Sequence, residues 1–175
     1  MSDVAAQFIT ATAGTFRLQR GYAERAVAQL DDAQLMRADG VEDNSIAVLM
    51  KHVGGNLRSR WSEPFTTDGE KPDRNRDGEF VVAADDAASV RAGWENGWSV
   101  LEALLGSLSE QDLQRSVRIR GEELSLITAL QRSLAHTAQH VGQIILLAKR
   151  WKGSEWQTLS IPRGESEKYT SAPPR

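Results

Sequence analysis

Cysteine is absent from this chain of 175 residues, and histidine is nearly so, with three in all. Without cysteine there is no disulfide framework, thiolate zinc finger, iron–sulfur cluster or cysteine nucleophile. Long apolar runs are missing as well: nowhere do about 18 apolar residues follow one another, so no transmembrane helix is expected. The opening Met-Ser-Asp-Val-Ala-Ala-Gln has no basic stretch leading into an apolar one, so no signal peptide is expected either. An excess of positive charge is also lacking. The formal net charge is −3, which gives no support for binding nucleic acid or an anionic membrane. These absences fit a soluble protein of a reducing cytoplasm.

What is present is helical periodicity. Residues from about Asp3 to Gln29 carry Val4, Phe8, Ala11, Leu18, Tyr22 and Ala26 at helical steps. A second stripe, Ile46, Leu49, Val53 and Leu57, follows Asp43-Asn44 as candidate N-caps and runs to about Trp61. A third helix is expected from about Asp85 to Leu108, with Val90, Trp94, Trp98, Leu101 and Leu105 on one face. Trp94 and Trp98, four residues apart, read as core or interface packing. A fourth runs from about Ser125 to Trp151 and closes on Lys149, Arg150, Lys152 and then Gly153. Val117-Arg118-Ile119-Arg120 alternates apolar and basic residues before Gly121-Glu122, which predicts a short extended segment entering a turn. Between the second and third helices, Ser62 to Ala84 is polar and too long for a tight turn. The pattern predicts an all-α domain over residues 1–165, a four-helix bundle with a long crossover between its second and third helices. Residues 166–175, ending Ala-Pro-Pro-Arg, are expected to form a flexible tail.

The scarce histidines are placed non-randomly. His136 and His140 are four apart in the fourth helix, and residues at that spacing share a face. They lie at the edge of the apolar arc beside Ser133 and Gln143, and His52 flanks the stripe of the second helix beside Asn56. Imidazoles at the border of a core and a polar cleft are suited to a mononuclear metal site, and three of them leave a position open for water or substrate. The residues around them exclude two alternatives. His136-Thr137-Ala138-Gln139-His140 lacks the general base of His-Glu-x-x-His proteases. Leu49, Ser133 and Thr137 stand where the Glu-x-x-His pairs of di-iron bundles need glutamate. One divalent ion bound by nitrogen remains, with Zn²⁺, Ni²⁺, Fe²⁺ and Mn²⁺ all compatible.

The arrangement resembles the DinB-like (YfiT-like) metalloenzyme superfamily, whose three histidines map onto His52, His136 and His140. Longer stretches resemble an uncharacterised subfamily known only as a domain of unknown function. They are His52 to Trp61, Asp68-Gly69-Glu70-Lys71-Pro72, Arg74 to Phe80, Arg132 to His136, His140 to Ile144 and Leu159 to Gly164. The resemblance covers nearly the whole chain. It implies a four-helix bundle, often a homodimer, holding a divalent metal such as zinc or nickel. Relatives in the superfamily include transferases and isomerases that use low-molecular-weight thiols.

Two function classes follow. The first is a metal-dependent enzyme, a thiol S-transferase or a hydrolase, acting on a small molecule through a metal-bound water or thiol and without a protein nucleophile. The second is a non-catalytic, metal-binding dimeric bundle whose metal serves stability. Arg132 and Gln143 stand one turn from the paired histidines and Asn56 one turn from His52. Each either orients an imidazole or meets substrate, or else faces solvent. In the charged 68–80 stretch, Arg74 or Arg76 is a candidate for gripping an anionic substrate bidentately, the alternative being a solvated loop.

Overall fold

A computed structural model describes residues 2–40, 42–83 and 85–169. Four long helices dominate: α1 (Ser2–Val27), α3 (Ile46–Trp61), α4 (Ala87–Ser107) and α5 (Leu126–Lys152). A short α2 (Asp32–Met36) sits between α1 and α3, and an antiparallel hairpin, β1 (Ser116–Ile119) and β2 (Glu122–Ser125), precedes α5. The fold is thus mostly helical, as expected, with a small sheet that an all-α description leaves out. No helix among the described residues is long and apolar enough to cross a membrane.

The helices begin where side chains can satisfy their first amides. Ser45, rather than Asp43 or Asn44, caps α3, its Oγ accepting from Val48 N at 3.1 Å. The two upstream residues are exposed, whereas Ser45 is buried at the helix start. Asp86 and Ser89 form a reciprocal capping box on α4, while Asp85 pairs with Lys51 of α3 at 2.5 Å. Helix α2 was hidden from periodicity because it has a single buried anchor, Leu35. Its own capping box, Asp31 with Gln34, holds it.

One hydrophobic cluster joins all four long helices, with Phe16, Leu49, Leu57, Trp98, Leu101, Leu130 and Ile144 essentially inaccessible to solvent. Burial of each such large apolar side chain is worth about 1.5–3 kcal/mol. Trp98 lies edge-on to Phe16 of α1 at 6.3 Å and to Trp94 at 5.4 Å, so the tryptophan pair is core. Helix α3 packs most closely on α4 because glycines let their backbones touch. A Cβ on Gly54 would lie 2.6 Å from the Gly93 carbonyl oxygen, and one on Gly97 would collide with that of Gly54.

Residues 62–86, joining α3 to α4, are held on both sides. Ser59 Oγ donates to Gly69 O at 2.7 Å and accepts from Lys71 N at 3.2 Å. Gly69 N donates to Arg118 O of β1 at 2.7 Å. The Asp68 carboxylate accepts from the amides of Arg120 and Gly121, at 2.9 and 2.8 Å, fixing the tip of the hairpin. The segment ends in a 3₁₀ turn, Asp77–Phe80, that packs on α3. Residues 68–80 are therefore anchored to α3 and to the hairpin, though several of their side chains reach solvent. Of the expected tail, Ser166–Tyr169 forms a 3₁₀ turn and residues 170–175 lie outside the described residues.

Candidate metal centre

Helices α3 and α5 bring the three histidines together. Their register is set next to the site by Trp61 Nε1, which donates to Ser133 Oγ at 3.1 Å, one turn before His136. His52 Nε2 lies 3.1 Å from His136 Nε2, and His140 Nε2 lies 3.2 Å from the same atom. Among the described residues these three form a group whose ligand atoms all fall within 4.8 Å of one another.

The outer nitrogens decide which inner ones carry lone pairs. His52 Nδ1 is 2.8 Å from Glu79 Oε2. An ionised carboxylate only accepts, so Nδ1 carries a proton, and the neutral tautomer this selects has its lone pair on Nε2. His140 Nδ1 donates in the same way to Gln143 Oε1 at 2.9 Å. His136 differs, since its Nδ1 is buried with no hydrogen-bond partner among the described residues. Burial, followed by the neighbouring His140 and His52, lowers the His136 imidazole from its ordinary 6.5 to about 4. Burial also lowers His140, against the opposing pull of Gln143. At neutral pH both rings are therefore neutral donors rather than cations.

Converging neutral nitrogens fit a divalent ion. Tetrahedral ligation at about 2.0–2.1 Å sets adjacent donors about 3.3–3.4 Å apart. Two of the three edges, at 3.1 and 3.2 Å, fall close to that value, while the group as a whole spans up to 4.8 Å, so ligation would draw His52 and His140 together around His136. Among the described residues the group holds three nitrogens, the ligand number of a three-histidine site.

Glu79 is the residue that sequence reasoning missed. It is 6 % exposed and bridges the centre to the 62–86 segment. Arg74 Nε donates to its Oε1 and Nη2 to its Oε2, each at 2.8 Å. Burial alone would raise the Glu79 carboxyl, but the hydrogen bonds from His52 and Arg74 outweigh it and hold the group below its ordinary value. Gly55 makes room for this carboxylate, because a Cβ there would overlap Glu79 Oε1 and lie 2.9 Å from its Cδ. Phe80 covers the outer face of His52, ring centres 4.8 Å apart.

The other expected residues fall into distinct places. Gln143 touches a histidine, as described. Arg74 does not await an anionic substrate: its guanidinium is buried and occupied by Glu79 and Glu70. Arg76 is exposed, over the Phe80 ring at 5.3 Å and 4.0 Å from Asp77, and does not reach the histidines. Asn56 and Arg132 line a cleft of about 220 Å³ whose wall includes His136. Trp61 and Ala129 supply its apolar part, and Arg60, Arg120 and Glu122 its rim. A second cavity, of about 270 Å³, lies behind Glu79 between α3 and α4 and contains none of the histidines.

Comparison with known proteins adds one finding. A family model described as a protein of unknown function, DUF1572, matches residues 3–165. No curated protein and no solved structure matches the chain.

Proposed function

The chain belongs to the DUF1572 family, whose function is unknown, and from its three converging imidazoles we propose that it is a divalent-metal-dependent enzyme. In this reading its fold is a DinB-like four-helix bundle, with residues 62–86 as the crossover, and the metal is zinc or nickel, iron and manganese also being compatible with nitrogen ligands. One observation carries the proposal. The Nε2 atoms of His52 and His140 both lie within 3.2 Å of His136 Nε2, while the Nδ1 atoms of His52 and His140 are engaged by Glu79 and Gln143.

When bound there, the ion supplies Lewis acidity that makes water or a low-molecular-weight thiol nucleophilic near neutral pH. The chain's own residues do the rest. Glu79 keeps the His52 proton on Nδ1, and Arg74 keeps Glu79 ionised. Gln143 orients His140, and Phe80 shields His52 from solvent. The cleft at His136 is the approach for a small molecule, which is then hydrolysed or receives the thiol. No protein nucleophile is required, consistent with a chain that has no cysteine. The cleft against His136 supports this reading over a metal that serves stability alone, since a catalytic ion needs an approach for substrate.

Metal analysis by plasma mass spectrometry, on gently purified protein beside His136→Ala/His140→Ala, tests the proposal. About one equivalent of a divalent metal is expected in the native chain and none in the variant. Equal metal content in both, or none in either after reconstitution, would overturn it.

A further inference from the structure

We propose that the cleft beside His136 binds a small substrate through a carboxylate, held by Arg120 and Arg132; the inference rests on the metal-centre reading and names the substrate class for it. The first observation is a surplus of unused donors. Arg120 spends Nε on Glu70 Oε2 at 2.8 Å, and its two terminal nitrogens make no hydrogen bond to the described residues. Arg132 has only a loose contact with Glu122, at 3.5 Å, between side chains that are both mostly exposed. Such a pair is readily exchanged for a better acceptor. Arg60, the third guanidinium of the cleft, shares Glu70 with Arg120 and with Arg74, so a single carboxylate serves three cations.

The second observation is backbone strain at the residue that supplies those donors. Arg120 has φ +56 and Gly121 φ +76, the paired left-handed conformation of a two-residue hairpin turn. Asn, Asp or Gly would occupy the first of these positions at lower cost. The chain instead holds an arginine there, with Asp68 clamping the two turn amides. Asp68 itself does not line the cleft. The clamped turn thereby fixes Arg120 at the wall of the cleft.

The third observation is direction. Arg132 precedes His136 by one turn on the same face of α5, a separation of about 6 Å along the axis. A carboxylate at Arg132 and Arg120 thus leaves the next few atoms of a ligand beside His136. Trp61 and Ala129 offer those atoms an apolar surface, and the Asn56 amide, which makes no side-chain hydrogen bond among the described residues, offers a hydrogen bond. A short carboxylic acid with its reacting group a few bonds from the carboxylate matches this layout. The planar fork of arginine is suited to that carboxylate.

Succinate and its neutral isostere succinamide are the probes, titrated against metal-free and zinc-loaded protein and followed by tryptophan fluorescence and arginine Nε–H resonances. Metal-free protein is expected to bind succinate saturably and succinamide not at all. Arg120→Gln/Arg132→Gln is expected to weaken succinate at least tenfold with metal content unchanged. Glu122→Gln, which removes the competing carboxylate, is expected to tighten it, and this arm holds even if the double variant folds poorly. Equal binding of succinate and succinamide, or the same succinate affinity in the native chain and both variants, would overturn the proposal. Failure of the metal reading would show separately, as missing zinc uptake, and would leave the metal-free titration as it stands.

Discussion

Glu79 Oε2 lies 2.8 Å from His52 Nδ1, so a carboxylate from the segment between α3 and α4 determines which nitrogen of a helix-borne histidine faces the centre. Arg74 grips the same carboxylate with two nitrogens, which holds both its charge and its angle. Replacement by Glu79→Gln keeps the shape but removes the charge and lets an amide N–H face Nδ1. Metal affinity is expected to fall about 10–100-fold, the usual effect of losing the partner that orients a ligating histidine. Competition against a chelator of known affinity measures it, and unchanged affinity would remove Glu79 from the account.

Two adjacent glycines should separate metal binding from folding. Gly55→Ala pushes a methyl into the Glu79 carboxylate, so the expected loss is in metal affinity. Gly54→Ala pushes one onto the Gly93 backbone, where α3 meets α4, and there the expected loss is stability, about 1–3 kcal/mol. Denaturant midpoints and metal titrations on both variants give the comparison. The same loss profile in the two would contradict the geometry.

Acid should destabilise the metal-free protein earlier than its carboxylates alone would. His136 is lowered in the folded state from 6.5 to about 4, so the unfolded chain binds its proton first as pH falls. The stability held by the neutral ring is therefore full above pH 6.5 and is lost as pH falls through the interval down to about 4. His140 shifts in the same direction. Urea unfolding at pH 7 and pH 5 is expected to show a lower midpoint at pH 5, with a smaller decline in His136→Asn. A flat profile for the native sequence would be inconsistent with a buried neutral His136.

Asp68 holds the hairpin by accepting from two turn amides and from Glu70 N at 2.7 Å. Asp68→Ala should release the Arg120 and Gly121 amides to exchange with solvent and cost about 1 kcal/mol or more. Hydrogen exchange read at those two amides is the direct check. Protection equal to that of the native chain would mean that the strands alone hold the turn.

The long helices and the His136/His140 pair were legible because both depend on spacing along one chain segment, whereas His52, on another helix, was joined to the pair by its place beside an apolar stripe and by the family resemblance. Stripes such as Ile46, Leu49, Val53 and Leu57 repeat with the period of the helix they form, and His136 and His140 share a face by the same arithmetic. Glu79 was not legible. In the 68–80 stretch it stands among Glu70, Asp73 and Asp77, and no local feature marks it as the acid that becomes buried. The available signal lay elsewhere, in Gly55 three residues after His52, the small position that admits a carboxylate against α3. Arg74 and Arg76 were equivalent in sequence for the same reason, and only tertiary packing sends one inward and leaves the other in water. Strand β2 was obscured because Glu122-Glu123-Leu124-Ser125 has one apolar residue and no alternation. Its pairing is set by Val117 opposite Leu124 and by the turn.

The carboxylates and guanidiniums between cleft and centre form one uninterrupted line of contacts: Arg120 to Glu70, Glu70 to Arg74, Arg74 to Glu79, Glu79 to His52. Occupancy at one end and retention at the other are therefore reciprocal quantities. By whatever factor an anion on Arg120 changes the hold of His52 on its ion, that ion changes the affinity for the anion by the same factor. Were both proposed guests to bind, measuring the affinity of either in the presence of the other would give the same coupling, whatever its size or sign.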